Sequence, residues 1–156
     1  MSPSATRFEP ADPEEAPASE LLAEMRLELN RLYYTPNRLE LPRLDPSELR
    51  PPGGAFLVGR RDDAAVAGGG LRPYGDGRAE IKRMFVRPEA RSQGVAGALL
   101  EALESTARAL GYTAVRLDTG PLQVHALSLY RRSGYADIEP YNDNPFACFW
   151  GEKPLA

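Results

Sequence analysis

Leu21, Leu22, Met25, Leu29 and Leu32 recur at three- and four-residue intervals, the spacing that lines one face of an α-helix. They predict a helix over residues 19–34 with Ser19 as its N-cap. A second helical pattern covers 94–110, with Val95, Ala98, Leu99, Ala102, Leu103, Thr106 and Leu110 on one face and Gly111 to end it. A third runs over 122–132 and is closed by Gly134. Apolar runs between turn residues predict strands at 55–60, 64–71, 80–86, 114–118, 135–139 and 147–153. Residues 6–9 suit a short edge strand. Arg61-Asp62-Asp63 turns the first two long strands into a hairpin, and Pro73-Tyr74-Gly75-Asp76-Gly77 reads as a loop. Gly68-Gly69-Gly70 lies inside a strand and marks a bulge or a close backbone approach. Hairpin and strand, helix, strand, helix and two strands make an α/β (α+β) fold, a mixed sheet flanked by helices.

Between the first helix and the hairpin, Pro36, Pro42, Pro46, Pro51 and Pro52 punctuate residues 35–54, with a helical turn expected around 45–49. Connections of that length serve as substrate walls or as plain surface linkers. The 156 residues suit one domain, 19–156, preceded by an acidic, proline-rich segment over 1–18. A net charge of −3 argues against a nucleic-acid partner. No apolar run approaches the roughly 20 residues that cross a bilayer, and the N-terminus lacks the apolar core of a signal peptide, so a cytoplasmic protein without membrane contact is expected.

His125 and Cys148 are the single histidine and cysteine, which excludes a His/Cys zinc cluster or an intrachain disulfide. No metal is expected. Cys148, in the apolar run 146–150, reads as an inert core residue, and His125 falls mid-helix with no nucleophile motif beside it.

The chemistry concentrates elsewhere. Met84-Phe85-Val86-Arg87-Pro88 ends a strand, and Arg91-Ser92-Gln93-Gly94-Val95-Ala96-Gly97 opens the second helix. Small residues at a helix start leave backbone N–H groups at the positive end of the dipole, suited to phosphate oxygens. This segment resembles the acetyl-CoA signature of the GNAT superfamily of N-acetyltransferases, Arg/Gln-x-x-Gly-x-Gly/Ala. A second segment, Gln123-x-x-Ala126-x-x-x-Tyr130-x-x-x-Gly134-Tyr135, resembles the family's Asn-x-x-Ala-x-x-x-Tyr-x-x-x-Gly-Phe/Tyr. The resemblance spans roughly residues 55–153.

It implies a GNAT-like, mostly antiparallel central sheet with helices on both faces, and acetyl-CoA as cosubstrate. Residues 91–97 would hold the pyrophosphate, and the strand end at Met84, Phe85 and Val86 the pantetheine arm, through the backbone of Met84 and Val86. Gln123 and Ala126 would add contacts from the third helix. Tyr130 would serve the leaving thiolate. Glu80, eleven residues before Arg91, matches a strand glutamate that acts as base in the histone-acetylating branch; its other reading is a carboxylate paired with Lys82 or Arg78.

The implied reaction is direct acetyl transfer to a primary amine of a small molecule or peptide. An acyl-CoA-binding sensor without turnover, or a partner-binding domain, are the competing readings. Homodimers are frequent in the family. Ser92 stands where glycine is common, a restriction if φ must be positive there, and Gln123 stands where asparagine is commoner. Tyr33, Tyr34, Tyr74, Tyr141 and Phe146 are placed either to line an acceptor pocket or to pack.

Overall fold

The computed structural model describes residues 5–33 and 44–156. The chain runs through β1 (Arg7–Pro10), α1 (Ala18–Leu32), a 3-10 turn (Pro46–Leu49), β2 (Ala55–Arg61), β3 (Ala64–Gly75) and β4 (Arg78–Val86). A second 3-10 turn (Pro88–Ala90) leads to α2 (Val95–Ala109), then β5 (Ala114–Thr119), α3 (Val124–Arg132), β6 (Ala136–Asp137) and β7 (Phe149–Pro154). The strands form one seven-stranded sheet in the order β1-β2-β3-β4-β5-β7-β6. Every neighbouring pair is antiparallel except β4 and β5, which are parallel. The sheet is the mixed, mostly antiparallel one that the sequence predicts.

Two cores cover its faces. Leu99, Leu100 and Leu103 of α2 pack on Leu57, Leu71, Ile81 and Val115, with Tyr130 of α3 and Tyr135 in the same cluster. On the other face Leu21 and Met25 of α1 pack on Phe56, Val58 and Phe85. The glycine run in β3 makes the second contact close. A Cβ on Gly68 would lie 3.1 Å from the Phe56 ring and 3.2 Å from Leu21, and one on Gly70 2.8 Å from Leu49.

Several boundaries differ from expectation. Helix α1 starts at Ala18 behind Pro17 with no side-chain cap, so Ser19 lies inside its first turn; its predicted end at residue 34 is outside the described residues. Residues 73–75 continue β3, and the hairpin turns at Asp76 and Gly77, both at positive φ. The 3-10 turn is capped by Asp45, whose carboxylate accepts from the Ser47 N–H at 2.9 Å. The buried face of α2 is rotated relative to the expected one: Leu100, Glu104 and Ala107 are inside and Leu110 is exposed. Glu104 is tolerated there because the Tyr135 hydroxyl donates to it at 2.8 Å and Lys153 Nζ lies at 2.9 Å. Strand β6 has two residues, and β7 inserts between it and β5. Cys148 is exposed, not a core residue, because it precedes β7 in the loop and only its N–H is tied down, to Thr119 O at 2.9 Å.

Candidate active site

Strands β4 and β5 pair over three residues only, Arg78–Glu80 against Ala114–Arg116. Beyond that point they separate. A β-bulge on β4 accompanies the split: Gly70 faces Lys82 and Gly68 faces Phe85, so two steps on β3 oppose three on β4. Arg83 occupies the extra position at φ +61°. A bulge adds twist and bends its strand, and it also resets the alternation. Before it Ala79 and Ile81 point to the α2 core; after it Met84 and Val86 do, and Phe85 turns to the α1 core.

A cavity of about 300 Å³ fills the resulting fork. Ile81, Lys82, Arg83 and Met84 line it from β4, and Asp118 and Thr119 from β5. Met25 and Leu29, one turn apart on α1, and Tyr33 just past its end close one side; Asn142, Asn144 and Phe146 of the β6–β7 loop close another, and Tyr130 faces in from α3.

Where the backbone ladder stops, side chains take over. Lys82 Nζ reaches across the fork to Asp118 Oδ2 at 3.4 Å and lies 3.2 Å from Glu80 Oε2. Glu80 is fully buried, with Arg72 Nε on Oε1 at 2.8 Å and the Tyr141 hydroxyl on Oε2 at 2.7 Å. Burial, and then the Glu80 charge, push the Tyr141 phenol above its ordinary pKa, so it remains a donor. Asp118 also accepts from Asn142 Nδ2 at 2.6 Å, and Trp150 Nε1 orients Asn142 by donating to its Oδ1 at 2.8 Å. Tyr130 is buried, and its hydroxyl points at the Met84 sulfur, 3.7 Å away. Burial first, and the Asp118 charge second, raise its pKa above the usual phenol value.

The loop before α2 has the conformation an anion site needs. Ser92 takes φ +63° and Gly94, the N-cap, φ +81°, with no side-chain cap on the helix. The first helical bond runs from the Ala98 N–H to Gly94 O, which leaves the N–H groups of Val95, Ala96 and Gly97 outside the ladder. Nothing lies within 4 Å of a Cβ built on Gly94, and on Gly97 such an atom would meet only Leu129, at 3.8 Å. Arg91 stands at the edge: Nε donates to Val86 O at 2.8 Å, Nη2 pairs with Glu28 of α1 at 2.5 Å, and the guanidinium lies 5.6 Å from the Phe85 ring centre.

The fold therefore brings Met84, Tyr130 and Gln123 to the cavity and sets residues 91–97 at the head of α2. Val95 faces the core with its side chain, leaving only its backbone to the loop. Gln93 is held by Arg61 and donates to Glu89 O at 3.3 Å. Gln123 Oε1 accepts from the Tyr33 hydroxyl and the Gly120 N–H, both at 3.2 Å, and Ala126 packs against the α2-side core. Glu80 lies behind Lys82 and Arg72, outside the lining. Tyr33 and Phe146 line the cavity, whereas Tyr74 and Tyr141 stack edge-on behind it; Tyr34 lies outside the described residues. His125 is exposed. Sequence reasoning missed Asp118, Asn142 and Arg72, which belong to no motif; an acid at the end of a predicted strand was the single available sign.

Comparison with known proteins agrees with this geometry. A family model described as the acetyltransferase (GNAT) family matches residues 20–135. The chain is 41% identical over 116 residues to the IAA acetyltransferase of Azospirillum brasilense, covering 72% of this chain and 75% of that protein. It is 32% identical over 116 residues to human N-acetyltransferase 8, covering 71% of this chain and about half, 49%, of the human protein's length. An acetyltransferase of the GNAT family from Staphylococcus aureus superposes with a TM-score of 0.78 at 17% identity, over 97% of this chain and 100% of that one. The PaiA N-acetyltransferase of Thermoplasma acidophilum, solved in complex with coenzyme A, gives 0.72 at 17% identity, over 96% and 99%. With the forked parallel pair, the glycine-opened helix and a matched family model over most of its length, the chain belongs to the GNAT family of acetyltransferases.

Proposed function

We propose that the protein transfers the acetyl group of acetyl-CoA directly to a primary amine held in the fork between β4 and β5. One observation carries the reading: an open anion loop at the head of α2 is tied through Arg91 to the Val86 carbonyl, at the end of the strand whose Met84 lines a cavity with Tyr130 and Asp118. Family membership supports acetyl-CoA as the donor, and a protein of the same fold was solved with coenzyme A.

The loop residues fit that donor. Gly94 and Gly97 leave room above the N–H groups of 95–97, and Ser92 and Gln93 shape the turn. Arg91 would exchange Glu28 for the pyrophosphate, and in doing so release Val86 O to the pantetheine amides alongside the Met84 backbone. Phe85 supports Arg91 through its ring face. Gln123 offers its Nε2, and Ala126 keeps the α3 surface low.

In the reaction the amine nitrogen bonds to the thioester carbonyl carbon, the carbon–sulfur bond breaks, and the sulfur gathers the charge. Tyr130 answers that charge. Proton transfer from a phenol near 10 to a thiolate near 8.5 is uphill by roughly 2 kcal/mol on reference values, and burial of Tyr130 makes it steeper. A hydrogen bond that strengthens as the sulfur becomes negative is the role that fits. Its present acceptor, a thioether sulfur, is weak and readily displaced. An ammonium near 10.4 must lose a proton before it attacks. Both Glu80 oxygens are already engaged, which supports a pairing role that holds Arg72 and Lys82 in place. Asp118, which lines the cavity, is the better placed acceptor.

Release of CoA thiol from acetyl-CoA with a panel of primary amines tests the reading, with acetyl-CoA binding measured in parallel by calorimetry. Turnover of at least one amine is expected. Binding without thiol release from any of them would leave the acyl-CoA sensor as the surviving reading.

A further inference from the structure

Asp118 and Trp150 stand opposite one another in the β5–β7 ladder, so their side chains leave the same face of the sheet. One residue joins them. Asn142 of the β6–β7 loop donates from Nδ2 to Asp118 Oδ2 at 2.6 Å and accepts on Oδ1 from Trp150 Nε1 at 2.8 Å. An indole nitrogen can only donate, which fixes the way round the amide sits: its oxygen belongs to Trp150 and its nitrogen to the carboxylate. The same Oδ1 accepts from the Asn144 N–H at 3.3 Å, and Asn144 Oδ1 in turn from the Phe146 N–H at 3.0 Å. Two such side-chain turns in succession hold Asn142 in place beside the end of β5.

The two carboxylates of the fork are held differently. Glu80 is fully buried, and each of its oxygens carries a short bond. Asp118 has its short bond on Oδ2; among the described residues the hydrogen bond to Oδ1 is the longer one from Lys82, at 3.5 Å. Asn142 therefore fixes the carboxylate through one oxygen and leaves the other lightly held, and both residues line the cavity. We propose that Asn142 and Trp150 are positioning residues for the reaction: they set the Asp118 carboxylate so that its Oδ1 takes the proton the acceptor amine loses as its nitrogen bonds to the acetyl carbon. The proposal rests on the acetyl-transfer reading of the same cavity, with Asp118 as the proton acceptor. Lys82, 3.4 Å from Oδ2, balances the charge but sets little direction, because an ammonium is a compact charge with rotatable donors. Asn142 offers a planar amide braced at its other end.

The test follows thiol release with benzylamine, tyramine, spermidine and lysine as acceptors, and compares variants on whichever the unaltered protein turns over fastest. Asn142→Ala should lower kcat about tenfold, and Trp150→Phe, which keeps a ring and removes the N–H, about threefold. Acetyl-CoA affinity by calorimetry should be unchanged in both. A residue that merely fastens the loop would cost the same whatever stands at position 118. Positioning predicts otherwise: in the Asp118→Asn background, itself slowed at least as much, Asn142→Ala should cost nothing further. The same cycle run with Trp150→Phe serves if Asn142→Ala does not fold. Equal losses in the two backgrounds, or an Asn142→Ala variant as fast as the unaltered protein, would overturn the proposal and leave acetyl transfer standing. An Asp118→Asn variant of full activity would remove Asp118 as proton acceptor, and the proposal with it. If no acceptor is turned over, nuclear magnetic resonance decides, because Trp150 is the single tryptophan and its indole N–H gives one signal. Asp118→Asn should move that signal when Asn142 is present and leave it still when alanine replaces it, which keeps the relay and sinks the transfer reading. A signal that ignores position 118, or responds equally without Asn142, sinks the relay as well.

Discussion

At Tyr130 the motif and the geometry meet in one hydroxyl. It is shut away from solvent, lies beside Asp118, and is aimed at a sulfur atom. Tyr130→Phe removes the donor and keeps the ring that packs on Tyr135 at 5.9 Å. The expected result is a fall in kcat of about a hundredfold with acetyl-CoA affinity unchanged by calorimetry; an unchanged kcat would take the thiolate role away from this residue. Two neighbouring sites carry backbone strain. Ser92 at φ +63° and Arg83 at φ +61° are non-glycine residues in the left-handed region, at a cost on the order of 1–3 kcal/mol each. The departure at Ser92 was visible in the motif, because a glycine pattern with a serine in it announces the φ. Nothing near Arg83 announced its strain, since a bulge is a property of two strands.

At the scale of elements, α1 is tied to the donor side of the molecule along its length. Glu24 pairs with Arg87 at 2.8 Å and Glu28 with Arg91 at 2.5 Å. Tyr33, just past its end, accepts from the Leu122 N–H at 3.3 Å and donates to Gln123. The same helix supplies Met25 and Leu29 to the cavity in the fork, so it borders both of the sites proposed for the two substrates. Arg91 cannot serve Glu28 and a pyrophosphate equally. Glu28→Gln should therefore tighten CoA binding several-fold at low salt, with the gain fading as salt screens the pair. Arg91→Ala should weaken CoA binding by roughly tenfold, the size of one lost charged hydrogen bond. Titration calorimetry at two ionic strengths measures both, and matching losses in the two variants would contradict the competition.

Among the described residues, three phenols sit against carboxylates: Tyr130, buried near Asp118; Tyr135, buried on Glu104; and Tyr141, half-buried on Glu80. Burial is the largest cause of the upward shift in each, and the carboxylate charge adds to it. A phenol whose folded pKa lies above its unfolded value of about 10 favours the folded state below that pH. The contribution is lost as pH climbs above 10 toward the folded value. Stability should therefore fall steeply above about pH 10. In an alkaline titration these three of the seven tyrosines should give phenolate absorbance only as the far-ultraviolet circular dichroism collapses. Early ionisation of all seven while the fold persists would show that the three are not sealed.

What the sequence alone determined is what depends on neighbours along the chain. Residues 91–97 read as an anion loop because glycine at the N-cap and small residues in the first turn act through their own backbone. Tyr130 was marked by the resemblance of its segment to a family motif local to α3, and the first antiparallel hairpin followed from a turn a few residues long. Tertiary structure decided the rest, since it depends on which strand lies beside which. The fork exists because β4 and β5 stop pairing after Glu80 and Arg116. The burial of Glu80 depends on Arg72, Lys82 and Tyr141 converging from β3, β4 and the β6–β7 loop. Asp118 became a site residue only when Asn142 and Lys82 met it across the fork. A periodic pattern records which face of an element is apolar; it holds no record of the charged partners that another element brings to that face.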